Sequence, residues 1–304
     1  MTHVRKAVFP VAGLGTGFLP ATKASPKEML SVVDKPLVQY AVEEAVAAGI
    51  TEMIFITGRG KRSIEDHFDH AYELESTLAT RGRHDLIERL RAVVPPGVTF
   101  SFVRQSEPRG LGHALLCARP LVHDEPFAVV LADDLMRAEQ PVLLQMTTLY
   151  GRHLSSLVGV MPMPPAELER HGVVAVRAMG IRLHGIQAMV EKPAAGAAPS
   201  ELGVVGRYVF TPAIFDHLEQ VAPDEAGEVQ LAPAIDRLAQ EEAVLAYEFA
   251  GMRYDCGSKL GYLQATVAYG MRHPEVGALF SAWLKAEQRR EATTPEPARS
   301  KATH

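Results

Sequence analysis

The feature that most constrains the fold is a long, rigid segment that follows the first apolar run. Ala7–Val11 is typical of a strand, and the chain then turns through three glycines between positions 13 and 17. Three prolines between positions 20 and 36 prevent a continuous helix from occupying the rest of the segment. Because backbone N–H groups can closely approach an anion where no Cβ intervenes, this glycine loop is a candidate phosphate-binding site.

Short apolar runs alternate with stretches of helical periodicity after this loop. The predicted strands are 53–56, 98–103, 127–131, 173–176 and 204–210. The predicted helices are 37–48, helical segments near 74–94, one helix from 111, and 212–220, 229–240 and 259–273. Strand-like runs rich in Val, Ile and Phe between helices indicate a mostly parallel sheet covered on both faces. The sequence therefore predicts one α/β domain over residues 1–286, a Rossmann-like, mostly parallel mixed sheet flanked by helices. Residues 287–304 are charged and lack periodic apolar positions, which predicts a disordered tail.

Composition excludes several classes of protein. A net charge of −5 gives no electrostatic case for a nucleic-acid or membrane surface. Cys117 and Cys256 are the only cysteines and form no CxxC pair, so disulfide stapling and structural zinc are not expected. No signal-peptide pattern and no uncharged apolar run of bilayer length is present. We therefore expect a cytoplasmic protein without a nucleic-acid or membrane partner.

Two familiar phosphate-binding motifs do not fit the glycine loop. A dinucleotide fingerprint, counted from Gly13 and Gly15, needs its third glycine at position 18, which is Phe18. A Walker A motif is absent from the chain; Gly58-Arg-Gly-Lys61 falls short of it. The glycines alone are therefore compatible with a third kind of phosphate site or with a tight structural turn.

The continuation of the loop makes it specific. The segment Gly13-Leu-Gly-Thr-Gly17…Pro20-Ala-Thr-Lys23…Pro26-Lys27-Glu28 resembles the signature of sugar-nucleotide pyrophosphorylases. Pro26-Lys-Glu-Met-Leu30 followed by Val33-Asp-Lys-Pro-Leu37 is similar to the bacterial UTP–glucose-1-phosphate uridylyltransferases in particular. Later blocks extend the resemblance to about Trp283, among them Gly110-Leu-Gly-His-Ala114, Asp133-Asp-Leu135, Gly172-Val-Val, Val190-Glu-Lys-Pro193, Val205-Gly-Arg-Tyr208 and Arg253-Tyr-Asp-Cys-Gly257.

The resemblance implies a nucleotidyltransferase fold of glycosyltransferase-A-like type and a specific reaction. The implied substrates are UTP and glucose-1-phosphate, and the products are UDP-glucose and pyrophosphate, formed by a Mg²⁺-dependent in-line displacement. A homo-oligomer, dimer or tetramer, is also implied, and the helical segment Val276–Lys285 is a candidate contact.

Residue roles are implied by the same resemblance. Lys27, Lys192 and Asp133 are the catalytic candidates, and Asp133 and Asp255 are the candidate Mg²⁺ ligands. The candidate nucleotide-binding residues are Ala12, Gly13, Gly15, Glu28, Gln105 and Gly110. The candidate sugar-binding residues are Gly172, Glu191 and Lys192.

The chemistry of these residue types agrees with the implied roles. Asp133 follows an apolar run, and the carboxyl ends of strands are where open α/β sheets bind ligands. Mg²⁺ prefers one or two carboxylates together with phosphate oxygens and water. A glutamine offers both a donor and an acceptor, which suits a pyrimidine edge. Glu191 and Lys192 can share a site only where the strand ends irregularly, since neighbours on a strand face opposite ways, and Pro193 favours such an end.

Two positions depart from the family pattern. Gly17 stands where the family has an arginine, and His171 stands where we expect a tyrosine. Loss of one preorganised donor typically lowers kcat by about 10²–10³. Three interpretations of Gly17 follow: the enzyme uses another cation, it is a slow variant, or it is a regulatory paralogue that binds UDP-glucose. A thymidylyltransferase is a further alternative. Lys23 is either a second phosphate contact or a plain surface residue.

Overall fold

The computed structural model describes residues 3–293. Its strands are β1 (Lys6–Pro10), β2 (Ser31–Val32), β3 (Lys35–Pro36), β4 (Glu52–Thr57), β5 (Thr99–Arg104), β6 (Phe127–Val130), β7 (Asp134–Arg137), β8 (Ser156–Pro162), β9 (Gly172–Gly180), β10 (Leu183–Glu191), β11 (Leu202–Phe210), β12 (Val244–Glu248) and β13 (Met252–Asp255). Its helices are α1 (Leu37–Ala47), α2 (Arg62–Phe68), α3 (Tyr72–Thr80), α4 (His84–Arg91), α5 (Gly110–Val122), α6 (Val142–His153), α7 (Pro165–Leu168), α8 (Ile214–Glu219), α9 (Ala232–Glu241), α10 (Lys259–Gly270) and α11 (Gly277–Thr293).

A nine-stranded sheet in the order β5-β4-β1-β6-β11-β8-β12-β10-β9 forms the centre of the molecule. The strands β5, β4, β1 and β6 are parallel, as are β8 and β12. Antiparallel pairs join β11 to β6 and β8, and β10 to β12 and β9. The predicted mixed sheet flanked by helices is confirmed, with its antiparallel pairs in the half of the sheet beyond β6.

Side chains that alternate along β1 belong to two separate cores, one on each face of the sheet. On β1, Ala7 and Phe9 belong to one core, which also contains Val38 of α1. Val8, between them, belongs to the other, together with Leu115 of α5. Because successive side chains on a strand point to opposite faces, an uninterrupted apolar run marks a strand that is buried on both sides.

The helical segments predicted near 74–94 are two helices, whereas the predicted tail differs from the structure. The two helices are α3 and α4, and Gly82 takes a left-handed φ of +70° between them. The tail was expected to be disordered from residue 287, but α11 continues to Thr293. Residues 277–293 consist largely of good helix formers and contain no proline. The rest of the predicted tail, 294–304, lies outside the described residues.

The segment between β1 and α1 contains no α-helix, as its prolines predict. Three short 3₁₀ helices, Thr16–Phe18, Ala21–Lys23 and Lys27–Met29, shape it instead. Elsewhere, β7 and β13 form a separate two-stranded antiparallel sheet in which Asp134 lies opposite Asp255. Within residues 3–293, no helix combines the length and the apolar character needed to cross a bilayer.

Candidate active site

Two adjoining cavities lie at the carboxyl ends of β1 and β6. The first, the glycine-loop cavity, has a volume of about 430 Å³, and its lining includes Ala12, Gly13, Thr16, Lys27, Gln105, Gly110, Leu131 and Asp133. The second, the Glu191 cavity, has a volume of about 210 Å³, and its lining includes Leu131, Asp133, Asp134, His171, Gly172, Met189, Glu191, Tyr208, Arg253 and Asp255. Asp133 lines both cavities, so its carboxylate lies where their contents would meet.

The carboxylates of Asp133 and Asp255 converge although 121 residues separate them in the sequence. A Cβ added to Gly257 would lie 3.2 Å from Asp133 Oδ2 and 3.0 Å from Asp255 Oδ1, so both oxygens border the same small space. The backbone N–H of Cys256 donates to the Asp133 carbonyl at 2.8 Å and holds the two segments together. Two carboxylate oxygens around a space that lacks a side chain suit a divalent cation.

No cluster of three or more potential metal-ligating side chains exists among residues 3–293. A cation between Asp133 and Asp255 would therefore take its remaining ligands from substrate oxygens or water. This incomplete donor set is what Mg²⁺ commonly has where it is bound together with a phosphate substrate.

Lys27 lies beside this carboxylate pair and lines the glycine-loop cavity. Its Nζ is 2.5 Å from Asp133 Oδ2. Burial tends to lower the pKa of Lys27, but the charges of Asp133 and Glu28 outweigh it and the pKa is raised. Burial likewise tends to raise the pKa of Asp133, but the Lys27 ammonium outweighs it and the pKa is lowered. Both groups are therefore charged at neutral pH.

Glu28 lies behind the glycine-loop cavity and is not among the residues that line it. Its carboxylate is 2% exposed and accepts a 2.8 Å hydrogen bond from Lys61 Nζ, which is also buried. Burial raises the pKa of Glu28, although the Lys61 ammonium partly opposes this. Glu28 thus ties the loop to the start of α2. In the sequence, Lys61 ends the stretch Gly58-Arg-Gly-Lys61, and nothing in that pattern indicates a partner for the lysine.

The glycine loop itself shows different reasons for its glycines. Gly15 has a left-handed φ of +67°, and an added Cβ would lie 3.4 Å from the Cβ atoms of Lys27 and Thr22. Its carbonyl accepts a 2.7 Å hydrogen bond from Thr22 Oγ1, so it shapes the loop without lining the cavity. Gly17 is exposed in the first 3₁₀ helix, and an added Cβ there would meet only Gly257 O, at 3.4 Å.

Gln105 closes the far end of the glycine-loop cavity and is 5% exposed. Its Nε2 donates to Gly110 O at 3.2 Å and lies 2.9 Å from His113 Nδ1. Gly110 has a φ of +87°, and an added Cβ would lie 2.9 Å from Val229 O. Only glycine fits there without a clash. Its backbone conformation leaves the carbonyl oxygen next to the Gln105 amide.

In the Glu191 cavity, Gly172 lies opposite Glu191 in the β9–β10 register. An added Cβ at Gly172 would lie 2.6 Å from Met189 Cε and 3.3 Å from Glu191 Oε2, so the missing side chain leaves the carboxylate accessible. Lys192 has a left-handed φ of +46° just after β10, and its Nζ is 3.7 Å from Glu191 Oε1. Its side chain is 57% exposed and lines neither cavity, so the structure places only Glu191 of this pair in the cavity wall.

Two arginines, the buried Arg207 and the partly buried Arg253, hold the turn that carries Asp133. Arg207 is 1% exposed and donates to Glu44 Oε2 at 2.7 Å, Leu131 O at 3.0 Å and Asp134 O at 2.9 Å. Arg253 Nε donates to Asp134 Oδ1 at 2.7 Å, so this carboxylate is paired with a guanidinium. Both arginines lie in recognised sequence blocks, but no local pattern signals a buried guanidinium.

His171, at the position where a tyrosine was expected, is part of the same arrangement. Its Nε2 lies 3.2 Å from Arg253 Nη2, and its Nδ1 lies 2.8 Å from Glu167 O. The imidazole therefore links the end of α7 to the arginine and lines the Glu191 cavity.

The family model described as nucleotidyl transferase matches residues 6–271. The chain belongs to this nucleotidyl transferase family. A relative from Bacillus subtilis (strain 168), named UTP–glucose-1-phosphate uridylyltransferase, is 48% identical to this nucleotidyl transferase over 276 residues, covering 91% of the chain and 94% of the relative. The predicted family and fold class are confirmed.

Solved structures agree with this assignment. A UDP-glucose pyrophosphorylase complexed with UDP-glucose is 43% identical, with a TM-score of 0.82 over 89% of this nucleotidyl transferase and 100% of that chain. A UTP-bound UGPase from Acinetobacter baumannii is also 43% identical, with a TM-score of 0.87 over 93% of this chain and 99% of its own.

Proposed function

We propose that the chain transfers the uridylyl group of UTP to the phosphate of glucose-1-phosphate, giving UDP-glucose and pyrophosphate. The observation that carries the proposal is the position of Asp133, which lines both cavities and lies beside Lys27 and Asp255. The relatives support the choice of substrates, since they carry that enzyme's name and their structures include UDP-glucose and UTP complexes.

In this proposal, the nucleotide occupies the glycine-loop cavity. Ala12 and Gly13 offer backbone groups to it, and the amide of Gln105 faces the base. Gly15 and Glu28 act indirectly, by shaping and anchoring the loop. The ammonium of Lys27 is already held at the cavity wall, so it can attract the phosphates without a large rearrangement.

The sugar phosphate occupies the Glu191 cavity. The Glu191 carboxylate accepts hydrogen bonds from sugar hydroxyls, and Gly172 lets the sugar approach its backbone. Lys192, whose Nζ lies 3.7 Å from Glu191 Oε1, balances the charge of the phosphate in this proposal. An oxygen of that phosphate attacks the α-phosphorus in line while the bond to the pyrophosphate leaving group breaks.

The residues present fit a bound Mg²⁺. Asp133 and Asp255 would hold it, and it would supply positive charge that neutralises the reacting phosphates. The chain's own contribution is to position the two anions, to keep Asp133 ionised through Lys27, and to fix the turn of Asp133 with Arg207.

Reduced turnover, oligomerisation and location complete the proposal. Gly17 in place of an arginine favours slow turnover, because Lys27 is the only cationic side chain among the described residues that line the glycine-loop cavity. A homo-oligomer, dimer or tetramer, is supported by the apolar side chains that α11 exposes, Leu279 and Trp283. A cytoplasmic location agrees with two unpaired cysteines.

The test is a turnover assay on the purified chain. With UTP, glucose-1-phosphate and Mg²⁺, we expect equal amounts of pyrophosphate and UDP-glucose, measured by a coupled phosphate assay and by chromatography, and no products when EDTA replaces Mg²⁺. Binding of UDP-glucose without any turnover would instead identify a regulatory paralogue. A higher rate with dTTP than with UTP would identify a thymidylyltransferase.

A further inference from the structure

The orientation of the Gln105 amide is determined by its neighbours. Gly110 O can only accept a hydrogen bond, so the end of the amide that lies 3.2 Å from it is the NH₂ group, Nε2. The same Nε2 is 2.9 Å from His113 Nδ1. Both hydrogens of Nε2 are thereby used, and Oε1 has no hydrogen-bond partner within residues 3–293. Gln105 lines the glycine-loop cavity, so this free acceptor is the part of the amide left for a ligand.

This geometry also determines the state of His113. Since Nε2 of Gln105 donates, His113 Nδ1 must be the ring nitrogen without a proton, and the ring is neutral with its proton on the other nitrogen. Burial, followed by the charge of Arg109, lowers the pKa of His113, and the charge of Glu107 opposes them only in part. His113 is not one of the residues that line the cavity, so it would act through Gln105.

We propose that His113 is a positioning residue that holds the Gln105 carbonyl oxygen toward the base and so selects pyrimidines that carry an N3–H. Uracil has a donor at N3 and can pair with Oε1. Cytosine has an acceptor at N3, and two facing acceptors leave a buried polar group unpaired. Thymine has the same N3–H as uracil, so this device separates UTP from CTP and not UTP from dTTP. The inference rests on the proposed function, because it places the base at Gln105.

The test compares an acceptor-free variant with one that keeps an acceptor. His113→Leu removes the partner of Nε2, whereas His113→Asn offers an Oδ1 near the former Nδ1 position. For His113→Leu, we expect the KM for UTP to rise about fivefold to tenfold with kcat within about twofold, and the ratio of kcat/KM for UTP over CTP to fall about tenfold, the range of one hydrogen bond. His113→Asn should keep that ratio within about threefold of the unmodified chain.

Two outcomes would overturn the inference: an unchanged UTP/CTP ratio in a folded His113→Leu protein, or the same loss in His113→Asn, which would show a packing role. Thermal unfolding and circular dichroism establish folding, and His113→Phe replaces His113→Leu as the acceptor-free variant if the latter does not fold. Calorimetric binding of UTP and CTP gives the same ratio without turnover. An unmodified chain that binds UTP selectively but makes no UDP-glucose would refute the proposed function and leave the role of His113 supported.

Discussion

Replacing Gly17 by arginine should turn this chain into a much faster enzyme. Position 17 can accept a side chain, because it lies in a short 3₁₀ helix, it is exposed, and an added Cβ would meet only Gly257 O at ordinary contact distance, 3.4 Å. Gly257 in turn borders the space between the two candidate metal carboxylates. The neighbouring Thr16 lines the glycine-loop cavity, so a guanidinium at position 17 starts beside the proposed phosphate site.

The size of the effect follows from the charges already present. Lys27 is the only cation among the described lining residues, and its charge is largely matched by Asp133 at 2.5 Å. A second, unmatched cation would act where charge develops on the leaving pyrophosphate. One preorganised donor of this kind is worth about 10²–10³ in kcat, or about 2.7–4 kcal/mol of transition-state stabilisation. We therefore expect Gly17→Arg to raise kcat by about 100-fold or more.

The assay is pyrophosphate release at saturating UTP, glucose-1-phosphate and Mg²⁺. Gly17→Gln is the matched control, because it adds a long polar side chain without the charge, and we expect it to stay within about threefold of the unmodified chain. Both variants should be slightly more stable than the unmodified chain, by about 0.4–1 kcal/mol, since a glycine is lost from the unfolded chain. If folded Gly17→Arg is no faster than Gly17→Gln, the chain does not lack a cation at the leaving group.

Three further changes test the rest of the site. Asp255→Asn should weaken binding of Mn²⁺, used as a paramagnetic probe of the Mg²⁺ site, by at least about tenfold, since a neutral amide is a poorer ligand than a carboxylate; unchanged binding would remove Asp255 from the metal site. Lys61→Met should cost about 3–5 kcal/mol in urea unfolding at pH 8, because it leaves the Glu28 carboxylate buried and unpaired. This loss in the free energy of unfolding should become smaller as pH falls toward 5, because burial raises the pKa of Glu28 and protonation removes its buried charge in the folded state. A loss that does not depend on pH would contradict this. Gly172→Ala should raise the KM for glucose-1-phosphate about tenfold and leave the KM for UTP unchanged, because the added methyl group lies between Met189 and the Glu191 carboxylate. Equal changes in both KM values would contradict this placement of the sugar.

Local sequence pattern was sufficient to predict the frame of the site. The apolar run of β1, the glycines after it and the prolines that follow predicted a strand leading into a rigid loop. The run that became β6 predicted a strand with Asp133 just after its end. These features are local, because strand periodicity, the conformational freedom of glycine and the missing N–H of proline all act within a few residues.

Only the tertiary structure decided how distant residues meet. Asp133 and Asp255 converge because β7 pairs with β13, and a pairing across more than a hundred residues leaves no periodic trace in either strand. The same is true of the buried Glu28–Lys61 pair and of Arg207, whose hydrogen-bond partners lie in α1 and in the turn after β6. The sequence by itself determined which chemical groups this protein carries and on which elements. The packing of helices and strands on the two faces of one sheet determined which of those groups touch. A buried charge without a partner is strongly destabilising, so the buried charges are paired with groups from distant parts of the chain.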